Sequence, residues 1–147
     1  MKRILTTLII ILLCIQTIHS NENDAQGSKL KILTFNILHG ATTKGDFDLD
    51  AIAKVIIEAD PDFVALQEVD FKTNRARKYD LVTELGWRTK MAPIFGKAMD
   101  FDDGEYGEGI LSKFSFISTR NVALPFTPGN EPRAALEILT VLPTGDT

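Results

Sequence analysis

Two oxygen-bearing side chains close two apolar runs: Asn36 follows Leu30-Lys31-Ile32-Leu33-Thr34-Phe35, and Glu68 follows Phe63-Val64-Ala65-Leu66-Gln67. A carboxylate beside an amide oxygen is the beginning of a hard-cation site, because Mg²⁺ takes oxygen ligands and usually needs only one or two protein carboxylates plus water and phosphate. The plainer reading is an asparagine in a turn at a strand end and a solvated glutamate. The choice between them rests on whether the chain brings the two residues together.

The intervening elements argue that it does. In Leu30–Asn36, apolar side chains occupy both parities, with Leu33, Phe35 and Ile37 on one face and Leu30 and Ile32 on the other, which predicts a strand covered on both sides. Asp48 is a suitable N-cap, and Leu49, Ile52, Ala53, Ile56 and Ile57 recur at three- and four-residue spacing until Pro61, predicting a helix. Phe63–Glu68 reads as a second short strand that turns polar at its end. Two strands joined through one helix lie parallel by the right-handed crossover rule, so Asn36 and Glu68 emerge at the same sheet edge.

Further along, Tyr79–Leu85 reads as a second helix closed by Gly86. Arg88–Phe95, Tyr106–Phe114, Phe116–Ala123 and Ala134–Leu142 read as strands separated by Gly, Pro and Asp clusters. The join at Lys113-Phe114-Ser115-Phe116 allows a bend in one long strand instead. An α/β sandwich with a mixed sheet accounts for this order better than an all-β barrel.

The N-terminus has Lys2 and Arg3, an apolar run from Ile4 to Ile18, and a small residue at Ser20, which is the order of a secretory signal peptide. The run is short for a bilayer core, which wants about 20 helical residues. Residues 1–20 are therefore expected to be a cleaved signal that sends the protein to the periplasm or outside the cell. The alternative is a membrane anchor formed by residues 4–18. Residues 21–29 read as a flexible leader, and 30–147 as the folded part.

Removal of the signal would take away Lys2 and Arg3 and no acidic residue, moving the net charge from −4 to −6. Such a surface provides no general basic footprint for nucleic acid. Cys14 is the only cysteine and lies in the apolar run, so disulfides do not hold the mature fold. Asp100-Phe101-Asp102-Asp103-Gly104-Glu105 has the flavour of a calcium loop, but position twelve would be Leu111 where a bidentate Glu is required; it reads as a solvated loop.

Leu33-Thr34-Phe35-Asn36-Ile37, Pro61 to Asp70 (Pro-Asp-Phe-Val-Ala-Leu-Gln-Glu-Val-Asp) and Tyr106-Gly107-Glu108-Gly109-Ile110-Leu111-Ser112-Lys113 resemble, in order, the first three motifs of the endonuclease/exonuclease/phosphatase superfamily. The resemblance implies an α/β fold, a four-layered α/β sandwich of the DNase I-like type, here incomplete and comprising its first half. It implies a metal-dependent phosphodiesterase or phosphatase, with Glu68 a ligand of Mg²⁺ (Mn²⁺ as the alternative) and Asn36 helping to place the metal and the scissile phosphate. Tyr106 matches a position on the phosphate side of the cleft. Arg133 matches an arginine that opens the next strand and can hold phosphate bidentately. Arg75 falls in a loop that relatives use near substrate, followed by Arg77 and Lys78. His39, in a Gly-bounded turn beside Asn36, reads as substrate-facing or simply polar.

The family's later motifs, a histidine-bearing strand, Gly-Asp-x-Asn and Ser-Asp-His, do not occur after Arg133 in these residues. The chain by itself is therefore expected to be inactive and to expose the face on which further sheet would pack. The expected substrate is a phosphoester, small-molecule or lipid in preference to nucleic acid. A membrane surface is a conceivable neighbour, and no obligate protein partner is indicated. The competing function is a non-catalytic binding or structural module made of a half-fold.

Overall fold

A computed structural model describes residues 29–147. The signal-peptide reading, Cys14, His19 and the leader up to residue 28 lie outside the described residues. The chain runs β1 (Ile32–Asn36), a short 3-10 turn (Leu38–Gly40), α1 (Leu49–Ala59), β2 (Phe63–Phe71), α2 (Leu81–Thr89), β3 (Ala92–Phe101), β4 (Gly104–Ser112), β5 (Phe116–Ala123) and β6 (Ala134–Thr140).

The strand–helix–strand unit forms as its pattern predicts. Asp48 caps α1 by accepting hydrogen bonds from the Asp50 and Ala51 amides at 3.1 and 2.9 Å, and Asp60 ends the helix in the left-handed conformation with φ 45°. β1 and β2 then pair in parallel, with Asn36 opposite Gln67. β4 and β3 follow antiparallel, so the first sheet is mixed and has the order β1-β2-β4-β3. One face carries α1 and α2 over a core that includes Ile37, Leu49, Ile52, Ile56, Val64, Leu66, Leu81, Leu85 and Leu111.

On the opposite face the β5–β6 hairpin begins a second sheet and packs on β3 and β4. The approach is close: a Cβ at Gly96 would meet Asn121 Oδ1 at 2.9 Å and Leu136 at 3.2 Å, and Asn121 Nδ2 donates to the Lys97 carbonyl at 2.7 Å. Gly107 is tighter still, since a Cβ there would lie 2.0 Å from the Gly96 carbonyl oxygen. Gly107→Ala is therefore expected to destabilise the fold by about 1–3 kcal/mol through backbone displacement, measurable as a lower urea midpoint with an unchanged slope.

Several expectations need correction. β1 is covered on one face only: Leu33 and Phe35 pack on the core, whereas Ile32 is 67% exposed. Nothing among the described residues covers the outer faces of Leu30 and Ile32, and they line an apolar groove with Phe63, Ile110, Ile138 and Leu139. Gly86 does not end α2. The helix continues to Thr89 and closes at Lys90 (φ 58°), while Gly86 supplies clearance where a Cβ would meet the Met91 carbonyl oxygen at 2.9 Å. Arg88 and Thr89 are consequently helical, and β3 starts at Ala92.

Asp100–Glu105, read as a solvated loop, does expose Asp100, Asp102 and Asp103, but it is a regular hairpin. Asp100 pairs with Glu105 across a two-residue hairpin turn in which Asp102 and Asp103 both take positive φ, 47° and 59°, as a type I′ turn requires. β4 and β5 are not one bent strand: β4 ends at Ser112, whose Oγ accepts from the Phe114 amide at 2.9 Å, and the chain passes to the second sheet.

Candidate active site

The position of Glu68 follows from a break in strand periodicity. Leu66 and Val69 are both buried on the helix-side core, and strict alternation would put Leu66, Glu68 and Asp70 on that same face. A register shift between Leu66 and Val69 against β4 adds the extra residue, and Glu68 adopts φ 56°. The bulge keeps Val69 in the core and turns Glu68 outward. Glu68 is therefore not at the end of β2, as the sequence implied, but at an irregularity within it. A non-glycine residue held at positive φ stores strain of about 1–3 kcal/mol, and such strain concentrates at functional sites.

Asn36 Nδ2 donates to Glu68 Oε1 at 2.8 Å, while Asn36 Oδ1 accepts from the Leu38 amide at 3.0 Å. These two bonds fix the amide orientation, because a flipped amide would set its NH₂ against the Leu38 N–H. The Asn36 oxygen thus has one of its two lone pairs engaged by the Leu38 amide, and its amide hydrogen orients the carboxylate. Glu68 Oε2 faces His39, with Nδ1 4.0 Å away. His39 sits at φ 46° in the 3-10 turn. Burial, reinforced by Arg75, holds its imidazole below the ordinary histidine value, against the opposing pull of Asp70 and Glu68.

His39, Glu68, Arg75, Tyr106 and Arg133 line one cleft of about 420 Å³ together with Met99, Phe101 and Glu131. Tyr106 opposes Asp70 across the β2–β4 ladder. Its hydroxyl is pushed up by burial, with Arg133 pulling the other way. Arg133 is raised in turn by its interaction with the Tyr106 side chain, and its Nη2 reaches Glu131 Oε2 at 3.1 Å. The six residues singled out in the sequence thus share one corner of the fold, with Asn36 directly behind Glu68. Arg77 and Lys78 do not line the cleft: Arg77 lies over the Phe47 ring at 4.7 Å, and Lys78 pairs with Asp103 at 2.7 Å.

The structure adds residues that the sequence reading passed over. Asp70 is fully buried and accepts from Thr73 Oγ1 at 2.5 Å, Arg75 Nε at 2.7 Å and Arg75 Nη2 at 2.8 Å. Thr73 Oγ1 also accepts from the Ala76 amide at 3.1 Å, a hydroxyl-to-backbone bond that shapes the turn. Asp102 reaches across from the β3–β4 turn and accepts from the Arg75 amide at 2.7 Å and Asn74 Nδ2 at 3.2 Å. The spacing Asp70-x-x-Thr73-x-Arg75 was the available signal, since Asp and Thr followed by backbone donors mark a turn.

Asp102 also gives a pH dependence. The hydrogen bond from the Arg75 amide holds its carboxyl below the ordinary 3.8, so the folded state favours the ionised form. That stabilisation is complete above 3.8 and is lost as pH falls below it toward the depressed folded value. Asp102→Ala is expected to flatten the acid limb of the stability curve below pH 3.8, read from urea midpoints on either side of that value.

Among the described residues no three His, Cys, Asp or Glu side chains form a ready-made metal cluster. The donor chemistry nevertheless suits a hard cation: Glu68 has one oxygen oriented by Asn36 and the other without a close partner, and Mg²⁺ needs few protein carboxylates when water and phosphate fill the remaining positions.

A mixed sheet with helices on one face and a second sheet on the other defines an α/β sandwich, and its cleft combines two carboxylates with two guanidinium groups. Residues 33–146 match the Endonuclease/Exonuclease/phosphatase family, and the chain belongs to that family. Its structure resembles an endonuclease/exonuclease/phosphatase from Beutenbergia cavernae (TM-score 0.61, 22% identity, 78% of this chain and 35% of that one). It also resembles a functionally unknown conserved protein from Enterococcus faecalis (TM-score 0.60, 24% identity, 80% and 49%) and a mannosyl-6-phosphatase from Bacteroides thetaiotaomicron (TM-score 0.55, 17% identity, 77% and 46%). No curated protein matches the chain. At these identities the likeness is one of fold, and it establishes the DNase I-like α/β sandwich. The chain spans 35% to 49% of the length of these structures, so the described layers are part of that four-layered architecture.

Proposed function

We propose that this chain carries the cation-binding and phosphate-holding part of a divalent-metal-dependent phosphoester hydrolase. The observation that carries the reading is the 2.8 Å bond from Asn36 to a strained, outward-turned Glu68 on a cleft that also contains Arg75, Tyr106 and Arg133. Glu68 would hold Mg²⁺, or Mn²⁺ in its place, and the cation would supply charge neutralisation at the phosphoryl oxygens. Asn36 orients Glu68. Arg133 is held by an exposed glutamate, a pair that contributes little, and by the Tyr106 side chain, so it can turn to a phosphoryl oxygen. Tyr106 and His39 frame the cleft as polar walls.

The substrate class is a small-molecule or lipid phosphoester before nucleic acid, because the chain is net acidic at −4 and gives no general basic footprint for a nucleic-acid backbone. A phosphatase stands among the proteins that share the fold. Export to the periplasm or medium through residues 1–20 belongs to the same proposal; no described helix is long and apolar enough to cross a membrane.

The test uses the longest reading frame containing these residues, assayed on nitrophenyl phosphate and bis-nitrophenyl phosphate with Mg²⁺ and then with EDTA. Hydrolysis that EDTA abolishes and Mg²⁺ restores is the expected result. Hydrolysis indifferent to EDTA, or none on any phosphoester tried, would leave a shared fold without this chemistry.

A further inference from the structure

The cleft contains two guanidinium groups held in different ways. Arg133 has one ion-pair partner, Glu131 at 3.1 Å, with both side chains about half exposed, and a neutral neighbour in Tyr106, so it can exchange that partner for a ligand. Arg75 cannot. Its Nε and Nη2 are clamped by the two oxygens of Asp70 at 2.7 and 2.8 Å, its backbone amide is tied to Asp102, and its guanidinium lies 4.4 Å from the Phe101 ring centroid.

Asp70 is fully buried, and a buried ion pair is a poor source of net stability because desolvation offsets the attraction. Its lasting effect is orientation. An arginine offers five N–H donors in a rigid plane, and Asp70 takes two of them. The remaining three, on Nη1 and the second hydrogen of Nη2, have no hydrogen-bond partner among the described residues. Arg75 is about one-third exposed and lines the cleft with Glu68 and Arg133.

We infer that Asp70 is a positioning residue that fixes Arg75 as a permanent phosphate-oxygen donor, and that the fixed and the exchangeable guanidinium together select a phosphomonoester over a phosphodiester. The chemistry is a matter of counting. A monoester presents three non-bridging oxygens and approaches two negative charges, whereas a diester presents two such oxygens and one charge. With Glu68 and Glu131 lining the same cleft and Asp70 paired to Arg75, the match is one of donors and not of net charge: the N–H groups left free on two guanidinium groups serve three oxygens better than two. The inference deepens the proposed hydrolase function and rests on it.

Binding is measured by calorimetry on the same full-length protein in EDTA, with phenyl phosphate and methyl phenyl phosphate as the monoester and diester probes. The monoester is expected to bind about tenfold more tightly, the effect of one additional charge-assisted hydrogen bond. In Asp70→Asn/Arg75→Met, where neither partner is left as a lone buried charge, that preference is expected to vanish. In Arg75→Lys it is not expected to return, because an ammonium cannot fork across Asp70 and face the cleft together. Equal binding of the two probes by the wild type, or a monoester preference that survives the double substitution, would overturn the inference. Either result leaves the EDTA test untouched, whereas EDTA-indifferent hydrolysis would remove the underlying reading while leaving this binding comparison interpretable.

Discussion

Arg75→Met is expected to lower stability by about 3–5 kcal/mol, the cost of leaving a buried charge without its partner. Asp70 is fully buried, and after the substitution Thr73 would be its only side-chain donor. The loss is a large fraction of a typical total of 5–15 kcal/mol. The companion Asp70→Asn/Arg75→Met should recover most of it, because removing both charges relieves the desolvation that the pair existed to offset. Urea unfolding of Arg75→Met, Asp70→Asn and the double variant, which together close a double-mutant cycle with the wild type, checks the claim. A single substitution as mild as an ordinary surface change, within about 0.5 kcal/mol, would mean that Asp70 is accessible to water in solution.

Glu68→Gln is expected to reduce metal-dependent hydrolysis by about a thousandfold, since a metal's charge stabilisation amounts to several kcal/mol and each 1.36 kcal/mol is about a factor of ten in rate. The side chain is one-third exposed, and an amide keeps its length and can still accept from Asn36, so stability should hardly change. Asn36→Ala should cost less, about 10–100-fold, as befits a residue that orients the carboxylate from behind. Steady-state rates across a Mg²⁺ titration separate the two: loss of affinity that added Mg²⁺ restores belongs to Asn36, and loss that it does not restore belongs to Glu68. The reverse order of effects would make Asn36 the principal ligand.

Much of the frame was legible because it depends on local periodicity. The 3.6-residue pattern of Leu49, Ile52, Ala53 and Ile56 and the cap at Asp48 gave α1, and the crossover rule then placed β1 beside β2 with Asn36 and Glu68 at neighbouring positions. What misled was a residue whose local preference yielded to packing. Gly86 looks like a helix stop, yet it sits within α2 because Met91 and Pro93 crowd its Cβ position. Ile32 looks like core, yet it is exposed among the described residues because no further sheet covers it there.

The candidate site divides the same way. Residue types and their order along the chain determined the strand–helix–strand unit, the family and the six side chains worth watching, because each is written in short-range pattern. Tertiary structure alone decided that a bulge turns Glu68 outward, that Asn36 faces it with its amide hydrogens, and that Asp70 is buried beneath Arg75. Those outcomes depend on register against β4, on the approach of the β3–β4 turn to residues 73–78, and on which lone pairs remain free. Such quantities are set by residues distant in sequence, and no local pattern along the chain encodes them.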